Sequence, residues 1–507
     1  MTGEQALMQA ILEDPEDDLA RLVYADWLEE NGEQERAEFI RAQVELARFI
    51  GDGSDADALA RFLHPLTLAM VEWDRLEPVL AERARLRARA RELLRNGDTW
   101  SVRVEGLENV KFEFTRGFPS RVIVRSLDSF LAQADQVFRA APVHELEVSF
   151  QSLAEVRDLI RSGHLRRISE LKVTGFLGEE EGAQMLRLLG ESPDVAGVKR
   201  LTATGDADNA LPLVRALEAG RGWGDLEQLD LEFRRASLES IELDPASARI
   251  LGWAPHLKNL RDLTLNWFAL SSPFAVETLA SSFPALESLR LGESSATDEV
   301  ALALARADLP DLRSLYISRH QFRDPRAAAG LGTSRWPRLV ALELSGDMLG
   351  QDSLSGLGTA LTAGPRRPAT LRYLNLRYNL LGPEDAAALA RWSGARRLTY
   401  LDLARNYWLG SDGASRIAAA HWPLLAYLDL HSCQIGEAGA VALARSTGFP
   451  ELQWLALDAN PLGPGGCKAL GRSRQLPHLR LLGLRQTGAD KGAKISLRRR
   501  FGDALRM

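Results

Sequence analysis

The chain has 507 residues, 45% hydrophobic and 26% charged, which is ample apolar material for a core and too much for a disordered chain. A formal charge of −7 is thin over this length, so capture of nucleic acid or of an anionic membrane by bulk charge is not expected. There is no basic leader and no run of the ~18 apolar residues that a membrane span needs, and two cysteines are too few for a disulfide framework, so a cytoplasmic protein is expected.

Residues 1–100 do not repeat and read as helices. The run Asp14-Pro15-Glu16-Asp17-Asp18 predicts a helix start with a cap, a proline at the first helical position and acids in the first turn, and Asn31-Gly32 predicts its end. Between them Leu19, Leu22, Val23, Trp27 and Leu28 follow a helical period, with Asp26 the one polar member. A second helix is expected over Arg36 to Phe49, and the charged stretch Asp55 to Leu94 reads as two helices broken near Pro65 or Pro78. Residues 101–142 read as a strand and helix junction that caps the first repeat, with a helix-like run from Ser129 to Ala140.

From residue 143 to 490 leucines recur. Leu374, Leu401, Leu428, Leu455 and Leu482 stand 27 residues apart, and the position is held earlier by Leu146, Leu171, Leu201, Leu229, Leu263, Leu289, Leu315 and Leu342 at uneven spacing. Thirteen strands are therefore expected, from Val143 to Val148, Ile168 to Val173 and so on to the five regular copies. The clearest copy, Leu371-Arg372-Tyr373-Leu374-Asn375-Leu376-Arg377-Tyr378-Asn379-Leu380-Leu381, reads L-x-x-L-x-L-x-x-N-x-L and is similar to the leucine-rich repeat. Each strand is followed by a turn such as Leu381-Gly382-Pro383-Glu384 and a small-residue helix, Ala386 to Arg391. One such unit cannot bury its own apolar face, so copies must stack. Asn379, Asn406 and Asn460, with Cys433 in the same column, predict a ladder that satisfies backbone groups where the chain turns inward.

A period near 27 with a whole helix in each unit resembles the ribonuclease-inhibitor class of leucine-rich repeats. That resemblance implies an α/β solenoid, a horseshoe with parallel strands on the concave side and helices on the convex side, preceded by an all-helical N-terminal domain. The stretches Ile11 to Asp18, Arg21 to Gly32 and Arg36 to Gln43 resemble the repeat-companion domain at the N-terminus of many planctomycete leucine-rich repeat proteins, and Arg116-Gly117-Phe118-Pro119 fits the same family. This second resemblance implies a bacterial, intracellular source and no particular activity.

In L-x-x-L-x-L the leucines point inward, so the residues between them form columns on the strand face. Before the central leucine stand Tyr373, Tyr400, Tyr427 and Trp454; after it come Asn375, Asp402 and Asp429, then Arg377, His431, Asp458 and Arg485. Tyr378 and Arg405 follow at the strand exit. Aromatic anchors ringed by charge suit a protein or peptide partner, whereas rings that only stack along the sheet would serve stability alone.

Residues 491–507 read as a closing cap, with Leu497, Phe501 and Leu505 covering the last repeat and Lys494, Arg498, Arg499 and Arg500 in solvent. Gly463-Pro464-Gly465-Gly466-Cys467-Lys468 misses the spacing of a phosphate loop. The sequence carries no catalytic motif, no metal-ligand spacing and no cofactor fingerprint, and a solenoid face is expected to lack a deep dry pocket. The expected function is thus a non-enzymatic scaffold for a protein or peptide ligand, without cofactor, nucleic acid or membrane, and with no oligomeric state set by the sequence. The alternative is the substrate-recognition part of a hydrolase or ligase whose activity lies in the N-terminal helices.

Overall fold

The computed structural model describes residues 3–48, 78–96, 107–176, 179–234, 240–332, 336–346, 370–502 and 505–506, with positions 100 and 104. These fall into two compact units, one ending in 249–264 and the other holding 242–248 and everything from 265 onward. The expected break near Pro65 lies outside the described residues.

The first unit opens with α1 (Gly3–Glu13), α2 (Asp18–Glu30) and α3 (Gln34–Arg48). The cap of α2 is Asp17, whose carboxylate accepts the Leu19 N–H at 2.8 Å. Asp14 is occupied earlier: it accepts the Glu16 N–H at 3.1 Å and, through its carbonyl, the Asp17 N–H, closing a turn that keeps Pro15 ahead of the helix. At the other end Asn31 bonds back to Trp27 and Leu28, and Gly32 takes a left-handed φ of 88°.

The buried face of α2 differs from the one the apolar period predicts. Leu19 and Val23 are 68% and 43% exposed, whereas Arg21, Tyr24, Ala25 and Leu28 are buried. Arg21 is buried with its guanidinium donating to the Asp17 carbonyl at 3.1 Å and lying 5.5 Å from the Phe118 ring centre. Its Nε and Nη2 have no hydrogen-bond partner among the described residues, and burial, with Arg116, lowers its pKa to about 10. Tyr24 and Leu28 then pack with Ile11, Ile40, Val44 and Phe118.

A fourth helix, α4 (Pro78–Asn96), starts at Pro78 and joins α3 through Arg89, which pairs with Glu38 at 2.7 Å. Strands β1 (Val110–Thr115) and β2 (Phe118–Val124) form an antiparallel hairpin. Arg116 and Gly117, at φ 53° and 85°, make the two-residue left-handed turn that such hairpins favour. Gly117 sits against α3, where a Cβ would meet Ile40 at 2.6 Å, so only glycine permits the approach. After α5 (Leu127–Ala140), parallel strands follow in order, with Val122, Leu146, Leu171, Leu201 and Leu229 in one register. The junction thus contributes the first parallel strand itself, ahead of the first leucine of the series.

The second unit continues the scheme. Leu289, Leu315, Leu342, Leu374, Leu401, Leu428, Leu455 and Leu482 are register neighbours in successive parallel strands. Central leucines throughout the chain are at most 6% exposed, because the strands set them against the helices that return on the other side of the sheet. Strands begin two residues later than the leucine pattern alone suggests, for example Tyr373–Asn375 where the motif starts at Leu371, since the first leucine packs in the bend before the strand. Return helices of nine or ten residues, such as Pro383–Arg391 and Glu437–Arg445, pack closely through small side chains. The architecture is an α/β solenoid with a helical N-terminal region.

Each regular coil turns through a non-glycine residue in the left-handed region: Tyr378, Arg405, Ser432, Ala459 and Gln486 have φ between 52° and 60°. The next residue holds that turn. Asn406 donates to the carbonyls of Leu376 (3.0 Å) and Leu403 (2.7 Å) and accepts from the Leu381 N–H, while Asn460 donates to Leu430 and accepts from Cys433 and Ile435. Asn379 donates to Leu344 at 2.8 Å, and the Cys433 thiol lies 3.1 Å from the Leu403 carbonyl. His320 and Ser294, both buried, hold the same position in earlier coils.

At the C-terminus a helix (Lys491–Phe501) buries Leu497 and Phe501. Leu505 is half-buried in a two-residue strand paired with Leu482 and Gly483, so it does not extend that helix.

Candidate functional site

The column residues meet on the strand face of the second unit. Tyr373, Tyr400, Tyr427 and Trp454 are register neighbours, and their rings pack at centre distances of 6.4, 4.3 and 5.3 Å, with Tyr400 and Tyr427 stacked. All four rings are 8% exposed or less, so they stack on one another along the sheet. Parallel strands lie ~4.8 Å apart, so aromatic side chains in one column must cover one another.

Residues two apart in a strand share a face, which brings each tyrosine to an aspartate. Tyr400 donates to Asp402 at 3.2 Å and Tyr427 to Asp429 at 3.1 Å, and the same carboxylates accept the Ala404 and His431 N–H groups at 2.8 Å. Asp402 and Asp429 are adjacent in register. Burial first, and the Asp402 charge second, push the Asp429 carboxyl up to about 7. Burial and the same carboxylates raise Tyr400 and Tyr427 well above the ordinary phenol range. Glu343, two coils before Asp402 in the same register column, is also raised to about 7, mainly by burial.

Cations frame these acids. Arg377 lies 4.0 Å from Asp402, and the guanidiniums of Arg377 and Arg405 sit 5.3 and 4.9 Å from the Tyr378 ring centre. His431 is lowered, first by burial and then by Arg405. Asp458 accepts the Arg485 N–H at 2.8 Å.

The strand face is not a bare wall. A cavity of about 540 Å³ opens among Tyr400, Asp402, Arg405, Tyr427, Asp429 and His431 and continues past Trp454 and Asp458 to Arg485 and Arg506. It is an open, charge-lined hollow rather than a deep dry pocket. Of the residues singled out from sequence, Arg377, Tyr400, Asp402, Arg405, Tyr427, Asp429, His431, Trp454 and Asp458 line it, while Tyr373 and Tyr378 do not. Sequence reasoning did not reach Gln486 or Arg506, the second of which arrives through the terminal strand. It also passed over Tyr407 and Trp408, 45% and 70% exposed in the loop after Arg405, although an aromatic pair after a repeat's asparagine was a readable signal.

The first unit has a smaller counterpart of about 210 Å³ around Arg121, Glu145, Glu170, Lys172 and Arg200. There Arg200 pairs with Glu170 at 2.5 Å, and Glu145 is raised to about 7 by burial and by Glu170. Among the described residues, no group of three or more His, Cys, Asp and Glu is placed to hold a metal ion, and no helix is long and apolar enough to cross a membrane.

The family model for the Leucine Rich repeat matches residues 367–390 and 423–444. No curated protein matches the chain. Among solved structures, an internalin (inlF) from Listeria monocytogenes is similar over 70% of this chain and 93% of its own, with 17% identity and a TM-score of 0.41. A chain of the yeast Rad7 and Elc1 complex is similar over 74% of this chain and 79% of its own, with 13% identity and a TM-score of 0.40.

Proposed function

We propose that this leucine-rich repeat chain is a non-enzymatic scaffold that engages a protein or peptide on the strand face of its C-terminal coils, the concave side of a horseshoe. The observation that carries the reading is the cavity of about 540 Å³ at which five neighbouring coils and the terminal strand present charged and aromatic side chains together. Return helices of nine or ten residues favour the ribonuclease-inhibitor-like class. The motifs in α2 and α3 favour a repeat-companion domain and, with it, a bacterial cytoplasmic source.

Affinity capture with the full chain from extract of the source organism tests this, run beside an Arg405→Ala, His431→Ala double variant whose melting temperature certifies folding. Both side chains are half-buried at the cavity wall and neither belongs to the ring stack. The expected result is a protein retained by the wild type and lost from the folded variant. Equal retention by both would place binding elsewhere and overturn the reading.

A further inference from the structure

We propose that the partner presents an extended acidic segment whose side-chain carboxylates enter this cavity. The inference rests on the scaffold reading and adds the chemistry of the ligand. Hydrogen-bond supply is one-sided here. The acids are already answered from within: Asp402 and Asp429 each accept one backbone N–H and one tyrosine hydroxyl, and Asp458 accepts the Arg485 N–H. Among the described residues, the side-chain donors of this cavity that lack a hydrogen-bond partner are Nε of Arg377 and Arg405 and Nε1 of Trp454. Trp454 is only 8% exposed, and a buried indole N–H without an acceptor is costly. A ligand that fills the cavity must therefore bring acceptors.

Charge agrees with this. Four arginines, Arg377, Arg405, Arg485 and Arg506, line the cavity against three aspartates, and carboxylates suit guanidinium forks. The nitrogens are spread over four coils that step by ~5 Å, a span of ~15 Å that exceeds the reach of one carboxylate, and same-face side chains of an extended peptide recur every ~7 Å along such a span. Two or more carboxylates in alternation fit that spread better than one. A nucleic-acid backbone, whose phosphates would meet the same arginines, is the rival occupant that an RNA probe separates from the peptide.

The test is fluorescence anisotropy with the full chain and three labelled probes: a twelve-residue peptide with Glu at alternate positions in a Gly-Ser-Tyr frame, the same peptide with Gln for Glu, and a twelve-nucleotide RNA. The Glu peptide is expected to bind at least tenfold more tightly than the Gln peptide and the RNA. Arg405→Gln is expected to weaken it about tenfold, with Arg485→Gln, at an exposed position, as a second variant should the first not fold. Equal binding of the Glu and Gln peptides, an RNA affinity matching that of the Glu peptide, or Glu-peptide binding untouched by a folded arginine variant would each overturn the proposal. If the extract capture is lost from the Arg405, His431 variant while the two peptides bind alike, the scaffold reading stands and the acidic ligand alone falls.

Discussion

Asp429 shows how one buried carboxyl on the strand face makes stability depend on pH. Its carboxyl is raised to about 7 by burial and by the neighbouring Asp402, against ~4 for a free aspartate. The folded chain therefore binds more protons than the unfolded chain between those values, so this contribution to stability is complete below about pH 4 and is lost as pH rises through about 7. Asp429→Asn removes the titration and keeps an acceptor for Tyr427. Its urea midpoint should fall less steeply than that of the wild type from pH 4.5 to 8, and parallel curves would deny the shift. The identities of the charged and aromatic residues at this face were legible in the sequence, because a period of two assigns them to one side. That the rings are buried was not, since it results from how neighbouring strands crowd them. Arg506 carried no signal, because a two-residue strand at the chain end has no pattern to read.

In a single coil the decisive element is the left-handed residue before the ladder position. An L residue there costs ~1–2 kcal/mol relative to ordinary helical or extended backbone, and the buried side chain next to it offsets this with hydrogen bonds to two coils. Ala459 isolates the backbone effect, for its φ is 52°, it carries only a methyl group, and its N–H already donates to Arg485 at 2.7 Å. Ala459→Gly relieves the strain and gives back part of the gain as unfolded-chain entropy. A net rise of ~0.5–1 kcal/mol in unfolding free energy is expected from denaturant titration; a fall would mean that the position is not strained. The asparagine pattern made the turn legible in the regular repeats, whereas His320 and Ser294 hid it in earlier coils by holding the same place with different chemistry. In α2 the helical period was legible and the buried face was not. The period grouped Leu19 with Leu22 and Val23, while the contact actually made is governed by Arg21 and Tyr24 meeting a hairpin that no local pattern announced.

Across the stacked coils of the second unit, each coil is held mainly by its neighbours, so stability is expected to be local and to fray from a damaged end. The terminal helix is where this is most exposed to test. Leu497 and Phe501 are buried there, each contributing ~1.5–3 kcal/mol by apolar burial, and the last strand receives the Leu484 N–H on the Arg506 carbonyl at 2.8 Å. The fit is close, for a Cβ on Gly471 would lie 3.1 Å from the Leu497 nitrogen. Removing residues 491–507 uncovers the coil of Leu481–Gly483 and takes Arg506 from the cavity. In hydrogen exchange the amides of Leu482 to Leu484 should lose protection first and those of Leu455 to Leu457 next, while Leu374 to Leu376 keep theirs. Uniform loss through all five coils would mean that the stack unfolds as one body and that its ends are not separately held.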